Sequence, residues 1–138
     1  MSELIRFGVS LEKGLLERFD QLIREKKYTN RSEAIRDLIR ENLVRKEWEE
    51  GKEVAGAITL VFNHHKRELL NILTDIQHDF CQLIISSQHI HLDQDNCLEI
   101  IVVRGNPEEV EELADKLRAT KGVKYGALSI ATTGKEIV

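Results

Sequence analysis

Aromatic side chains make up only 5% of this 138-residue chain, and proline occurs once. So few rings make a stacking platform for single-stranded nucleic acid a poor fit. No apolar run approaches the roughly 20 residues that a membrane-spanning helix requires. The opening segment, MSELIRFGVS, holds no apolar signal core, which points to the cytoplasm. Two cysteines, Cys81 and Cys97, are too few for a disulfide framework and are expected to stay reduced there. A glycine-rich phosphate loop and a Ser/His/Asp arrangement are both missing, so catalysis has little support. A membrane protein and a disulfide-stapled secreted module are excluded.

A hydrophobic share of 41% and a charged share of 32% suit a soluble chain folding as one ordinary domain or two very small ones. The net charge of -4 is unevenly spread. Residues 1–46 hold eleven Lys/Arg against eight Asp/Glu, whereas 47–138 hold nine against sixteen. A mildly basic head on an acidic body suggests that only the head meets a polyanion.

Period-two alternation predicts a strand over Leu4–Leu11, with Ile5, Phe7, Val9 and Leu11 on one face and Leu4, Arg6, Gly8 and Ser10 on the other. A helix follows, N-capped by Ser10, with Leu11, Leu15, Phe19, Leu22 and Ile23 as its stripe. A second helix opens on a capping box of Asn30 and Glu33 and carries Ala34, Ile35, Leu38, Ile39 and Leu43. Such a unit is too small to bury a core alone, and its one strand has no mate. The economical solution is a dimer whose two strands form an antiparallel ribbon over four helices. The charged segment around Trp48, ending at Gly51, reads as an interdomain linker. The resulting division is a head at 1–46, a linker at 47–53 and a body at 54–138.

In the body, the pattern is strand (54–62), helix (65–82), strand (83–92), strand (97–104), helix (107–121), strand (123–131). Asp93-Gln94-Asp95-Asn96 forms the hairpin turn, and Asn106, Pro107 and Gly122 punctuate the last helix. The order βαββαβ is ferredoxin-like, so the expected fold class is α+β.

His89 and His91 share one face of their strand, and the hairpin returns Cys97 and Glu99 beside them. Leu98, Ile100 and Val102, with Ile90 and Leu92, are assigned to the helix-packed face. The His/His/Cys face would then be the open one, exposed to water or closed by another subunit. Two imidazoles and a thiolate suit late divalent metals, tetrahedral for zinc or square-planar for Ni(II) or Cu(II). The plain alternative is a solvated strand edge and a core cysteine. Glu99 is assigned an orienting role rather than that of a base. His78 lies about 200° from Ile76 on its helix, facing away from the core. Cys81 is expected to be buried or idle, and His64-His65 a solvated loop. In the head, a ribbon presenting Arg6 and Ser10 could read bases in the major groove. The free N–H groups at Asn30-Arg31-Ser32 could hold a phosphate.

With these residues in view, the chain resembles the nickel-responsive transcriptional regulator family over essentially its whole length. Asn30-Arg31-Ser32-Glu33-Ala34-Ile35-Arg36-Asp37 is similar to the family's second-helix motif. His89-x-His91-x5-Cys97-Leu98-Glu99 is similar to its metal motif. The resemblance implies a ribbon-helix-helix head followed by an ACT-type domain. It implies one Ni(II) per subunit, held in square-planar geometry by His89, His91 and Cys97 with His78 of a neighbouring subunit. It makes the open sheet face a tetramer interface. It also implies a second cation, often potassium, near Glu33 and Asp37, and DNA-backbone contacts from Lys66 and Arg67, with Arg36 fixing phosphate. Gly8 departs from the pattern where a base-reading side chain is expected, so the operator sequence does not carry over.

The expected function is a cytoplasmic, homotetrameric, nickel-dependent repressor that binds operator double-stranded DNA and controls nickel uptake genes. It is not an enzyme, and no membrane or other protein partner is inferred. Copper or cobalt sensing on the same scaffold, or sensing of a small molecule by the ACT-type module, are the alternatives. A metal-dependent hydrolase would need an exchangeable water that a filled N/S site lacks.

Overall fold

Helix α1 covers Lys13–Glu25 in the computed structural model, which describes residues 3–138. Its N-cap position is Glu12 and no side chain caps it, so the expected cap from Ser10 is not used. The first turn lies at the surface, where its free N–H groups are open to solvent. Lys27 takes a left-handed φ of 61° in the turn that follows. Helix α2, Arg31–Glu49, then starts on one half of the expected capping box, with Asn30 Oδ1 accepting from the Glu33 N–H at 3.0 Å while the Glu33 carboxylate accepts from Arg36. Arg31 donates to both carboxylate oxygens of Asp20 on α1, each at 2.9 Å. The Tyr28 hydroxyl donates to Asp37 at 2.7 Å.

The chain forms two units, one ending at Ile39 and one covering Arg40–Val138. Among the described residues of the first, the apolar ones that become buried are Ile23 and Ala34. The expected strand over Leu4–Leu11 is not formed within this chain. Leu4 is 90% exposed and Phe7 70%, because a strand needs a neighbour and the head has no second one to offer.

The second unit begins inside α2. The expected linker, 47–53, is helical as far as Glu49, and Trp48 joins the core of the body. Gly51, with φ 73°, ends the helix, and the Lys52 N–H reaches back to the Glu47 carbonyl at 3.1 Å. That six-to-one bond belongs to a Schellman motif, which glycine's left-handed freedom permits. Strand β1 (Val54–Asn63), α3 (Arg67–Asp79), β2 (Ile84–His91), β3 (Asn96–Gly105), α4 (Pro107–Arg118) and β4 (Val123–Ile130) complete the body. The sheet order is β2-β3-β1-β4 with every pairing antiparallel, the ferredoxin-like arrangement expected of βαββαβ. Helix α3 is shorter than its periodicity predicts, since a 3-10 turn at Cys81–Leu83 leads into β2. Asn106 caps α4 through the Glu108 N–H at 2.9 Å, with Pro107 at the start. The helix stops at Arg118 with Ala119 as its C-cap, short of the expected end at 121, and Gly122, with φ 104°, leads into β4 instead.

The core lies between the sheet and the two helices. Ile58, Leu60 and Phe62 of β1 meet Leu69 and Leu73 of α3 and Val110, Leu113 and Leu117 of α4. One expectation is reversed here. Cys97, Glu99, Ile101 and Val103 are the buried residues of β3, whereas Leu98, Ile100 and Val102 are only half-buried. The Cys97 face is therefore the helix-covered face of the sheet, not the open one. β3 is a central strand, apolar on both sides, so its own alternation does not say which side is inside.

Candidate metal centre and nucleic-acid surface

The centre sits where edge strand β2 meets β3. Register places His89 opposite Glu99 and His91 opposite Cys97. Both histidines are exposed, because β2 is an edge strand, while Cys97 and Glu99 are buried. His89 is held from two sides. Its Nε2 lies 2.8 Å from Glu99 Oε2, and its Nδ1 lies 3.7 Å from Cys97 Sγ. Glu99, 2% exposed, is itself held at 2.7 Å by the Gln77 amide on α3. The His89 and Phe62 rings are nearly perpendicular, with centroids 6.5 Å apart.

This is the arrangement in which a carboxylate sets the tautomer of a ligating imidazole. With Nε2–H donated to Glu99, the Nδ1 lone pair points toward the thiol. Burial pushes the Cys97 thiol above its ordinary value; a hydrogen bond from the Ile90 backbone opposes that shift, and the Glu99 charge adds to it. A thiolate there calls for a compensating cation. The donor chemistry therefore fits a borderline-soft divalent metal.

His91 is stacked on His64, with ring centroids 4.4 Å apart and planes within 8°. His64 and His65 both direct Nε2 at the Gln94 carbonyl, at 2.8 and 2.7 Å, so this pair clasps the hairpin tip instead of waving in a loop. His78 is exposed in the last turn of α3 and lines an open groove with Thr74, Gln77, Cys81 and Ile84. Cys81 is exposed, not buried. Among the described residues, no three His, Cys, Asp or Glu side chains converge closely enough in one chain to hold a metal ion.

The head residues are distributed differently. Arg6 and Ser10 lie exposed in the extended N-terminal segment, as does Gly8. Asn30 is occupied as a cap, Arg31 pairs with Asp20, and Arg36 pairs with Glu33 one turn away. Ser32 is exposed at the start of α2. Glu33 and Asp37 are one turn apart on α2. Lys66 and Arg67 lie exposed at the N-terminus of α3. Sequence reading missed Gln77, which carries no motif of its own, and the stacking of His64 on His91. The adjacent His64-His65 pair was the available signal for the latter.

The two-helix head and the ferredoxin-like body with its His89, Glu99 and Cys97 centre define the class: a two-unit chain with a candidate metal-binding domain. Two family models match, the ribbon-helix-helix protein, copG family, over residues 2–46 and the NikR C terminal nickel binding domain over residues 55–131. A protein of Syntrophus aciditrophicus described as a nickel-responsive regulator is 58% identical over 135 residues, covering 98% of each chain. One from Chlorobium limicola is 60% identical over 97% of this chain and 100% of its own, and one from Thermococcus kodakarensis 54% over 99% of each. An uncharacterized protein of Thermotoga maritima shares the fold, with a TM-score of 0.53 at 13% identity over 59% of this chain and 100% of its own. The chain belongs to the nickel-responsive regulator family. It stands with regulators, not with enzymes. No helix among the described residues is long and apolar enough to cross a membrane.

Proposed function

We propose that the protein is a nickel-dependent repressor of the cytoplasm, a homotetramer built as a dimer of dimers, with one Ni(II) per subunit. His89, His91 and Cys97 of one subunit and His78 of a neighbour would hold the metal, and Glu99 orients His89. The observation that carries this reading is His89 fixed between Glu99 Oε2 at 2.8 Å and Cys97 Sγ at 3.7 Å. The exposure of His78 at the end of α3 supports donation to another subunit. When bound, the metal supplies a crosslink between subunits. The chain's own work is to hold the His89 ring in place and to present the Cys97 sulfur beside it.

The head, 1–46, would bind operator DNA as a dimer through Arg6 and Ser10. Asn30, Arg31, Ser32, Arg36, Lys66 and Arg67 would contact phosphate. A potassium ion at Glu33 and Asp37 completes this reading, as do the 47–53 connection, the metal-binding body at 54–138 and nickel uptake genes as targets. Nickel favours DNA binding only by binding the DNA-competent arrangement more tightly, and operator DNA must tighten nickel binding by the same factor.

The test is an absorption titration of the apoprotein with Ni(II), alongside DNA binding at fixed salt. A thiolate-to-nickel band saturating at one metal per chain, lost in Cys97→Ala and His78→Ala, is expected, together with tighter DNA binding. A band indifferent to His78 would sink the cross-subunit site. DNA binding that responds to Cu(II) or Co(II) and not to Ni(II) would reassign the metal, even though copper binds such ligands more tightly by intrinsic affinity.

A further inference from the structure

The chain does not end at the sheet. After β4 the Ala131 N–H bonds to the Ala55 carbonyl at 2.9 Å, and the last eight residues then run against the final turns of α2. The Trp48 indole N–H donates to the Ala131 carbonyl at 2.8 Å, with its ring 8% exposed in the body's core. The Thr132 hydroxyl donates to Glu47 Oε1 at 2.8 Å, and Glu47 is 7% exposed, an unusual place for a carboxylate. Lys52 reaches Glu136 at 3.3 Å, and the Arg40 Nε–H donates to the carbonyl of Val138 at 2.9 Å. The contacts on α2 extend from Trp48 back to Arg40, roughly 12 Å of helix at 1.5 Å per residue. A glycine floor completes the seat: a Cβ at Gly56 would lie 3.0 Å from the Ser129 carbonyl and 3.5 Å from the Trp48 ring.

We propose that residues 131–138 form a strap that seats the end of α2 on the metal-binding body, making Trp48, Glu47 and Thr132 positioning residues for coupling between metal and DNA. The proposal rests on the regulator reading above. Coupling between distant sites requires an element whose arrangement both sites bias. α2 carries the proposed phosphate contacts at its first turns and the strap's contacts at its last ones. With those last turns seated, a change in the body must be carried along the helix. Freed from the strap, the same turns would fray and absorb the change.

Thr132→Val removes the hydroxyl and keeps the shape, and Trp48→Phe removes the indole donor while keeping a ring. Both are made in the full-length protein. Amide hydrogen exchange over residues 44–50 is expected to speed up about tenfold, on the scale of one buried hydrogen bond lost. DNA duplexes selected from a random pool by the nickel-loaded wild type are then titrated with and without Ni(II). The nickel-induced gain in affinity is expected to fall about tenfold in both variants, with the nickel absorption band and its stoichiometry unchanged. Faster exchange with undiminished coupling would overturn the proposal, reducing the strap to a stability element. Unchanged exchange in both variants would also overturn it, since the strap would not seat α2. A wild type whose DNA binding ignores nickel would instead overturn the regulator reading, a result the exchange measurement cannot produce.

Discussion

The body and the head spend their apolar residues in opposite ways. In the body, Ile58, Leu60 and Phe62 of β1 are buried by helices from the same chain. In the head, the alternation of Ile5, Phe7, Val9 and Leu11 is just as regular, yet all four side chains are exposed. Equal patterning thus has unequal outcomes, because burial depends on what the rest of the chain can supply. One region folds as a monomer's core, and the other has the form of half an interface.

The largest test of that contrast is a matched pair of truncations. Phe62→Ala should destabilise the body by about 3–5 kcal/mol, at any protein concentration, by opening a cavity under the sheet. Phe7→Ala should leave the body's melting unchanged. It should abolish DNA binding and any dependence of the head's melting on protein concentration, as linkage to association demands. A Phe7→Ala protein that still binds DNA as the wild type does would break the comparison.

A smaller effect is expected at the join between core and centre. Glu99→Gln keeps the size of the side chain but sets an amide where Gln77 and His89 each require an acceptor. Nickel affinity should fall about 10–100-fold, as for other groups that orient a metal's histidine. Calorimetric titration against the wild type measures it, and equal affinities would show that Glu99 is a passive core residue.

How far the sequence could be read follows the same division. The order of elements in the body, the N-cap of α4 and the pairing of His89 and His91 with Glu99 and Cys97 were legible, since they depend on local spacing. The inward face of β3 was not. Leu98, Ile100 and Val102 alternate with Cys97, Ile101 and Val103, and a central strand between two neighbours tolerates apolar residues on both sides. β1 held the better signal, since its larger residues, Ile58, Leu60 and Phe62, alternate with Ala57, Thr59 and Val61. Trp48 was lost among charged neighbours, because the carbonyl its indole meets, on Ala131, lies 83 residues away. Gln77 was invisible for the same reason, its role depending on a carboxylate 22 residues on.

The finest distinction concerns the head's charges. Arg31 is expected to hold phosphate, yet its guanidinium is already forked onto Asp20, whose carboxyl is held below its ordinary value by that hydrogen bond. A depressed carboxylate contributes stability above its unfolded pKa of 3.8, and loses it as pH falls through the lower folded value. The head should therefore loosen only in that acidic range, and slightly, since the pair is exposed and screened by salt. Asp20→Asn should remove this acid sensitivity and release Arg31. DNA binding by the nickel-loaded protein should then tighten modestly, and its salt dependence steepen by about one phosphate's worth of counterion release. A salt slope unchanged in Asp20→Asn would mean that Arg31 does not reach the backbone, leaving Lys66, Arg67 and the free N–H groups of α2 to hold it.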